Sequence, residues 1–328
     1  MKADVVFLLD GLTNKSGISG EKILESDLLN NDIEVSWYNY FPDSSDKNIV
    51  ETIEVYPLFF GLPLKSNPGR PGFEYLLDGI DISKDNIFVL IRTEKFNNVI
   101  EELRELGINS RLSNYSRDGK TIIISANSTT KVALKNYLEK NKSSFIRLSH
   151  ERYLEDNWYE DLHNITQHCE YRLLGYCEGG LLSAMKLCGV EICDADNILI
   201  TNEPIGSYEC QLITDTVIER LDSALKADKI PVIYLKHFAH DARNGMDKRT
   251  ASEKVSKIIK DVIIKIKQEK FFNYGLVISD HNSEIGVDET LVGMTKIGII
   301  GGGQLFNEYK DGSSQQELID FISKKGIM

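Results

Sequence analysis

The sequence predicts an α/β fold with a mostly parallel sheet. Short apolar runs, typical of buried strands, alternate along the chain with longer segments in which apolar residues recur at helical spacing. Alternation of this kind is typical of parallel sheets that are covered by helices. In chain order, the predicted elements are strand Asp4–Leu9, helix Glu21–Asn30, strand Ile230–Leu235, helix Thr250–Gln268, strand Tyr274–Ile278 and strand Lys296–Ile300.

A segment with a different pattern predicts a second, smaller domain. It has the order β-α-β-β-α, and the Arg-Asp-Gly-Lys sequence at residues 117–120 is suited to a hairpin turn. We therefore predict an inserted α+β domain at residues 88–164, and a discontinuous core made of residues 1–87 and 165–328. The predicted elements of the segment are strand Ile87–Ile91, helix Phe96–Leu106, strands Ser110–Tyr115 and Thr121–Ser125, and helix Lys131–Lys140.

The composition argues against some classes of partner. Asp and Glu number 50 against 38 Lys and Arg, giving a formal net charge of −12, with both signs spread along the chain. We expect no nucleic-acid partner, because proteins that bind nucleic-acid phosphates carry a cluster or stripe of basic residues, and this sequence shows none. We expect no membrane partner either, because no apolar run approaches the ~18 residues of a spanning helix. Five cysteines without a CxxC pair indicate no disulfide framework or thiolate zinc site and favour a reducing cytoplasm.

Acidic and imidazole side chains follow three of the predicted strands. They are Asp10 after the first strand, His237, His240 and Asp241 after the strand at 230–235, and Asp280 and His281 after the strand at 274–278. Because ligands gather at the carboxyl ends of parallel strands, we expect these side chains to meet at one edge of the sheet. Carboxylates and imidazoles are ligands of magnesium, manganese and zinc. The pattern therefore predicts a divalent metal site.

Ordinary structural roles remain open for the same residues. Asp10 and Asp280 are suited to capping the turns after their strands, and His237 and His240 to a strand-to-helix loop. Ser44 and Ser45 precede a helix-like segment, where serine is a common N-cap. A serine hydroxyl at a helix N-terminus beside a metal can instead attack phosphorus while the first-turn amides hold the phosphoryl oxygens.

Three motifs, taken together, resemble those of a known superfamily. They are Asp-Gly-Leu at 10–12, Ser-Ser-Asp at 44–46 with Tyr-Pro at 56–57, and Ser-Asp-His at 279–281. Their order is similar to that of the alkaline phosphatase superfamily, and the Gly-Arg-Pro-Gly-Phe-Glu stretch at 69–74 resembles a segment of the archaeal-type cofactor-independent phosphoglycerate mutases. The resemblance covers nearly the whole chain and identifies it as a divergent member. It implies a three-layer α/β/α core of mostly parallel sheet with a small inserted α+β domain.

The resemblance also implies a ligand set. Asp10, Ser45, Asp280 and His281 would form one metal position, with Ser45 as the nucleophile that accepts the phosphoryl group; its register against Tyr-Pro at 56–57 favours it over Ser44. Asp241 matches the second metal position. Gly245 and Thr290 stand where that position would have histidines, and His237 or His240 would have to replace them. Arg70 and Arg92 are the candidates for holding substrate oxygens. The implied cofactor is one or two divalent ions of manganese, zinc or magnesium.

Two hypotheses of function follow. In the first, the protein is an enzyme that transfers a phosphoryl group from a small phosphorylated metabolite through a Ser45 phosphoenzyme, with interconversion of 2- and 3-phosphoglycerate as the family's usual reaction and phosphatase chemistry as a variant. In the second, a degenerate member with one or no metal site binds a ligand or a partner protein. Gly245 and Thr290 favour the second hypothesis, whereas the joint presence of Asp10, Ser45 and Asp280-His281 favours the first.

Overall fold

The computed structural model describes most of the chain, which divides into two compact units. The described residues are 2–13, 20–44, 50–77, 82, 86–113, 120–148, 160–163, 170–175, 185, 191–192, 217–218, 220–239, 245, 248–282 and 293–328. One unit comprises residues 1–59, 169–177 and 190–328, and the other residues 60–168 and 178–189. The boundaries predicted at residues 88 and 164 stay a prediction.

The strands and the longer helices of the described residues are as follows. The strands are β1 (Val5–Leu9), β2 (Val35–Phe41), β3 (Ile87–Arg92), β4 (Asn109–Leu112), β5 (Thr121–Ala126), β6 (Arg147–Leu148), β7 (Tyr171–Gly175), β8 (Glu191–Ile192), β9 (Ile230–Leu235), β10 (Gly275–Ser279), β11 (Thr295–Ile300) and β12 (Ser313–Ser314). The helices are α1 (Gly20–Leu29), α2 (Thr52–Phe59), α3 (Gly69–Leu77), α4 (Phe96–Glu105), α5 (Lys131–Asn141), α6 (Lys248–Glu269) and α7 (Gln315–Lys325).

The larger unit is built on an eight-stranded sheet in the order β12-β2-β11-β10-β1-β9-β7-β8. All neighbouring strands pair in parallel except β11, which runs antiparallel to both β10 and β2. The predicted α/β class with a mostly parallel sheet is therefore confirmed. Every residue of β1 and of β10 is buried, which explains why these strands are continuous apolar runs rather than alternating ones.

Helices α1 and α6 pack against each other in the larger unit. Helix α6 buries an apolar stripe at helical spacing, whose members include Val255, Ile258, Ile259, Val262 and Ile266. Helix α7 begins with a capping box, in which the Ser314 hydroxyl accepts from the Glu317 amide and the Glu317 carboxylate accepts from the Ser314 amide. It ends at Gly326, whose φ of 62° is the left-handed conformation that glycine adopts readily.

The smaller unit contains a four-stranded antiparallel sheet in the order β4-β5-β3-β6. Helices α4 and α5 supply Val99, Leu103, Leu134 and Leu138 to a buried cluster with side chains of β3 and β5, which forms the core of this unit. The order of these elements is the predicted β-α-β-β-α order. Among the helices that the structure describes, none combines the length and the apolar character that crossing a membrane would require.

Candidate metal centre

The carboxyl ends of three adjacent parallel strands form the candidate site. Strand β1 lies between β10 and β9, and its last residue, Leu9, is in register with Ser279 and with Leu235. The next residues along β1 and β10 are Asp10 and Asp280, so the register places both carboxylates at the same edge of the sheet. The Asp10 amide donates to the Leu235 carbonyl at 3.1 Å, which continues the pairing of β1 and β9 by one residue.

Asp10, Asp280 and His281 form a buried cluster at this edge. Their side chains are at most 2% exposed. His281 Nε2 lies 2.9 Å from Asp10 Oδ1 and 3.4 Å from Asp280 Oδ2. One ligand atom from each residue lies within 4.8 Å of the others, a spacing at which a single cation can contact all three. Two carboxylates and one imidazole are a donor set that suits zinc or manganese.

The orientation of the His281 ring supports a cation at the same point. His281 Nδ1 lies 2.9 Å from the Asn282 carbonyl oxygen, which can only accept, so Nδ1 carries the hydrogen of this bond. In the neutral ring Nε2 then presents its lone pair to the two carboxylates. That arrangement is repulsive unless a proton or a metal ion lies between them. A histidine whose second nitrogen donates to a backbone carbonyl is the usual arrangement of a metal ligand.

Three donors hold the Asp280 carboxylate. Oδ1 accepts from the Gly11 amide at 3.1 Å and from the His281 amide at 2.9 Å. Oδ2 accepts from the Thr52 hydroxyl at 2.5 Å. Thr52 is the first residue of α2, so this hydroxyl belongs to a helix N-terminus. The contact therefore places a hydroxyl at a helix N-terminus directly beside the candidate metal ligands.

Burial and charge shift the proton equilibria of the cluster. Burial raises the pKa of Asp280, His281 lowers it and Asp10 adds to the rise, with the result above the ordinary value. Burial lowers the pKa of the His281 imidazole, but Asp280 and Asp10 outweigh this effect and raise the pKa above its ordinary value. The cluster therefore favours an extra positive charge, either a proton or a metal ion, between its carboxylates.

Two buried tyrosines complete the surroundings of the carboxylates. The Tyr234 hydroxyl on β9 donates to Asp10 Oδ2 at 2.6 Å, which leaves Oδ1 directed at His281. The Tyr56 ring on α2 packs edge-on against Tyr234 with 6.0 Å between the ring centroids. Burial, followed by the charges of Asp280 and Asp10, raises the pKa of Tyr56 well above its ordinary value, so this phenol stays protonated.

The Tyr234 hydrogen bond gives a first testable prediction. Tyr234→Phe removes the donor that orients Asp10, and we expect the dissociation constant for manganese to rise about tenfold, as for other partners that orient metal ligands. Isothermal titration calorimetry measures the constant. The matched control is Tyr274→Phe, which removes a similar buried hydrogen bond to the Ile327 carbonyl and should leave manganese affinity unchanged. Equal affinities in both variants would contradict an orienting role for Tyr234.

The remaining predicted site residues lie in several places. Ser44 is half-buried, and its hydroxyl donates to the buried Glu54 carboxylate at 2.6 Å. His237 is buried in the helical turn after β9, and Ala239 in the same turn donates its amide to the Asp10 carbonyl at 2.9 Å. Arg70 and Arg92 are half-buried residues of the smaller unit, on α3 and at the end of β3. Ser45, His240, Asp241 and Thr290 lie outside the described residues.

Sequence reasoning missed three residues of the site. Thr52 contacts Asp280, Tyr234 contacts Asp10, and Lys248 donates to the loop after Asp10. The signal for Thr52 was its place just before an apolar helix-like run. The signal for Tyr234 was its hydroxyl, the one polar side-chain group of a buried strand. Lys248 gave no signal, because a lysine near the start of a helix is usually solvated.

Comparison with solved structures shows what the fold is similar to. The PH0037 protein from Pyrococcus horikoshii aligns with a TM-score of 0.57 at 11% identity, over 99% of this chain and 98% of that chain. The cofactor-independent phosphoglycerate mutase from Thermoplasma acidophilum aligns with a TM-score of 0.44 at 11% identity, over 99% of both chains. An alkaline phosphatase from the Antarctic bacterium TAB5 has a TM-score of 0.45 at 10% identity, over 99% of this chain and 98% of that one.

At 11% identity, the alignment with PH0037 shows a similar fold and nothing more. The alignment with PH0037 is the one whose TM-score exceeds 0.5 among these three. Neither a protein-family model nor a curated protein matches the sequence.

Proposed function

We propose that the protein is a metal-dependent phosphoryl-transfer enzyme that acts on a small phosphorylated metabolite. The observation that carries the proposal is the buried cluster of Asp10, Asp280 and His281, with the Thr52 hydroxyl bonded to one of its carboxylates. Such a cluster is costly to bury without a cation, because two desolvated carboxylates repel each other. A hydroxyl at the same point gives the cation a nucleophile to activate.

Asp10 Oδ1, Asp280 Oδ2 and His281 Nε2 would hold the ion, with manganese, zinc or magnesium as the candidates. A bound divalent ion would stabilise the ionised form of a neighbouring hydroxyl and the charge on phosphoryl oxygens. The N-terminus of α2, where Thr52 lies, would favour those anionic oxygens through the helix dipole. Asp241, together with His237 or His240, is the proposed source of a second position. The number of ions bound tests that part of the proposal.

The proposed reaction passes through a phosphoenzyme. The bond between a protein hydroxyl oxygen and phosphorus forms as the ester bond of the substrate breaks, and the hydroxyl proton leaves with the substrate oxygen as an alcohol. Ser45 is the nucleophile that the resemblance implies. Thr52 is the second candidate, because its hydroxyl lies 2.5 Å from Asp280 Oδ2. Return of the phosphoryl group to the other hydroxyl of the same product would interconvert 2- and 3-phosphoglycerate, and transfer to water would make a phosphatase.

The rest of the proposal concerns the substrate and the cell compartment. Arg70 and Arg92 are proposed to bind substrate oxygens, since guanidinium groups pair well with carboxylate and phosphate. The cysteine pattern supports a reducing cytoplasm as the place of action. The alternative function is a degenerate member that binds a ligand or partner protein. The exposed Gly245 favours it, because a glycine with a φ of +71° stands where the resemblance implies a histidine ligand.

Metal content and phosphoenzyme formation together test the proposal. Purified protein is loaded with excess manganese, and elemental analysis of the desalted protein is expected to find at least one equivalent, which Asp280→Ala loses. Incubation with 3-phosphoglycerate or p-nitrophenyl phosphate should give a phosphorylated peptide by mass spectrometry. Ser45→Ala or Thr52→Val should abolish it and reduce turnover at least ~100-fold, whichever residue is the nucleophile.

Ser44→Ala is the matched control and should retain activity, because its hydroxyl donates to the Glu54 carboxylate. Full turnover in both Ser45→Ala and Thr52→Val would contradict a phosphoenzyme at either residue. Protein that binds no manganese and turns over neither substrate would favour the binding-protein alternative.

A further inference from the structure

A buried lysine holds the loop that follows Asp10. Lys248 is the first residue of α6 and is 2% exposed. Its Nζ donates to three consecutive backbone carbonyls, those of Gly11 at 2.7 Å, Leu12 at 3.2 Å and Thr13 at 3.0 Å. An ammonium group has three hydrogens, so these bonds match its full donor capacity. Three neighbouring carbonyls around one ammonium resemble a site for a small cation.

Burial of this ammonium has a desolvation cost, which the hydrogen bonds to the loop help to offset. Removing a charged group from water costs several kcal/mol, and backbone carbonyl dipoles recover part of that. Helix α6 already buries an apolar stripe, so its packing does not depend on a charged side chain at its first residue. A neutral side chain would cover the same surface without the desolvation. The structure therefore indicates that Lys248 has a role that requires its charge and not only its volume.

The loop that Lys248 holds contacts each member of the cluster. Asp10 directly precedes it, and the Gly11 amide donates to Asp280 Oδ1 at 3.1 Å. The Thr13 hydroxyl lies 3.4 Å from the His281 carbonyl oxygen, and the backbone of Thr13 forms a β-bridge with Asn282. A change in the backbone at residues 11–13 would therefore move one ligand and remove hydrogen bonds from the other two.

We propose that Lys248 is a positioning residue whose ammonium fixes the loop at residues 11–13, so that Asp10, Asp280 and His281 bind one metal ion together. The inference rests on the metal centre of the proposed function and adds a residue that the resemblance does not supply. Lys248 acts on the ligands through the three backbone carbonyls that it holds. Its expected effect is on metal affinity.

Manganese binding by Lys248→Ala tests the inference. Calorimetry at a temperature where the variant is fully folded should give a dissociation constant at least tenfold higher than that of the wild type. Methylammonium chloride should restore most of the affinity, because a small ammonium ion can enter the space that the side chain leaves. Potassium chloride at the same concentration controls for ionic strength. Lys257→Ala, at an exposed position of α6, should bind manganese as the wild type does.

The variant Lys248→Met tests the effect of the ammonium charge separately from the effect of side-chain packing. Methionine fills much of the same space without a charge, so its weaker manganese binding should not respond to methylammonium. If Lys248→Ala does not fold, Lys248→Gln takes its place, since it retains two N–H donors but loses the charge, and should bind at least tenfold more weakly. Wild-type affinity in a folded Lys248→Ala or Lys248→Gln would overturn the inference. Absence of manganese binding by the wild type would instead overturn the proposed metal centre itself.

Discussion

Asp10→Asn is expected to weaken manganese binding at least ~100-fold while leaving the metal-free protein as stable as the wild type or more stable. The loss of affinity follows from removal of one of two anionic ligands. In the variant, the side-chain oxygen of the introduced asparagine can accept from the Tyr234 hydroxyl, as Asp10 Oδ2 does at 2.6 Å. The side-chain amide nitrogen can donate to His281 Nε2, which lies 2.9 Å from Asp10 Oδ1 in the wild type.

The introduced asparagine can therefore hydrogen-bond to both Tyr234 and His281, and the cluster carries one negative charge fewer. In the wild type without metal, two buried carboxylates raise the pKa of the imidazole beside them, and a proton there offsets part of their repulsion. Removal of one carboxylate charge relieves the rest. We expect a gain of about 1 kcal/mol in the free energy of unfolding of the metal-free protein. Manganese at about ten times the wild-type dissociation constant should then stabilise the wild type by about 1.4 kcal/mol and leave Asp10→Asn nearly unaffected, because a ligand that binds only the folded state stabilises it by RT ln(1 + [L]/Kd). Urea unfolding with EDTA or with manganese measures both effects.

Asp4→Asn is the matched control for this prediction. Asp4 is a buried carboxylate that accepts from the amides of Asn273 and Tyr274 and pairs with Lys270 at 3.0 Å. Its charge is compensated, so the same change should lower stability and leave manganese affinity unchanged. Opposite signs of the stability change at Asp4 and Asp10 would support a metal site at Asp10. A similar loss of stability in both variants would contradict it, since Asp10 would then be an ordinary structural carboxylate.

The sequence could predict the candidate ligands because their positions depend on local features. Buried parallel strands read as continuous apolar runs, and the first polar residues after them mark the carboxyl edge of the sheet. Asp10 and Asp280-His281 are such residues, and the structure brings them together at adjacent strands. The apolar run of a strand does not show whether the strand pairs in parallel or antiparallel with its neighbours. The antiparallel orientation of β11 was therefore beyond this reasoning.

The groups that hold the ligands could not be predicted in the same way. Thr52, Tyr234 and Lys248 contact residues that are 228, 224 and 235 to 237 positions away in the chain. Each residue type has an ordinary local role, as helix cap, strand residue or solvated helix residue. Their contacts depend on the register of β1 with β9 and β10 and on the placement of α2 and α6. Composition and spacing do not determine those distances.

Gly20→Ala is expected to cost about 2 to 3 kcal/mol of folding free energy and to weaken manganese binding at the same time. A Cβ at Gly20, the first residue of α1, would lie 2.2 Å from the Leu12 carbonyl oxygen and 3.1 Å from Lys248 Cδ. The contact with backbone cannot be relieved by a side-chain rotation, so the loop at residues 11–13 must move. Because that loop donates to Asp280 and contacts His281 and Asn282, we expect its displacement to disturb the candidate metal centre.

Gly107→Ala separates a local backbone effect from an effect on the centre. Gly107 lies in the smaller unit with a φ of +71°, and a Cβ there would meet no atom within 4 Å. Its replacement should cost about 1 kcal/mol through backbone strain alone and leave manganese affinity unchanged. Thermal unfolding and calorimetry on both variants measure the two quantities. Wild-type manganese affinity in a folded Gly20→Ala would show that the 11–13 loop can move without disturbing the ligands, and would contradict its role in holding the centre.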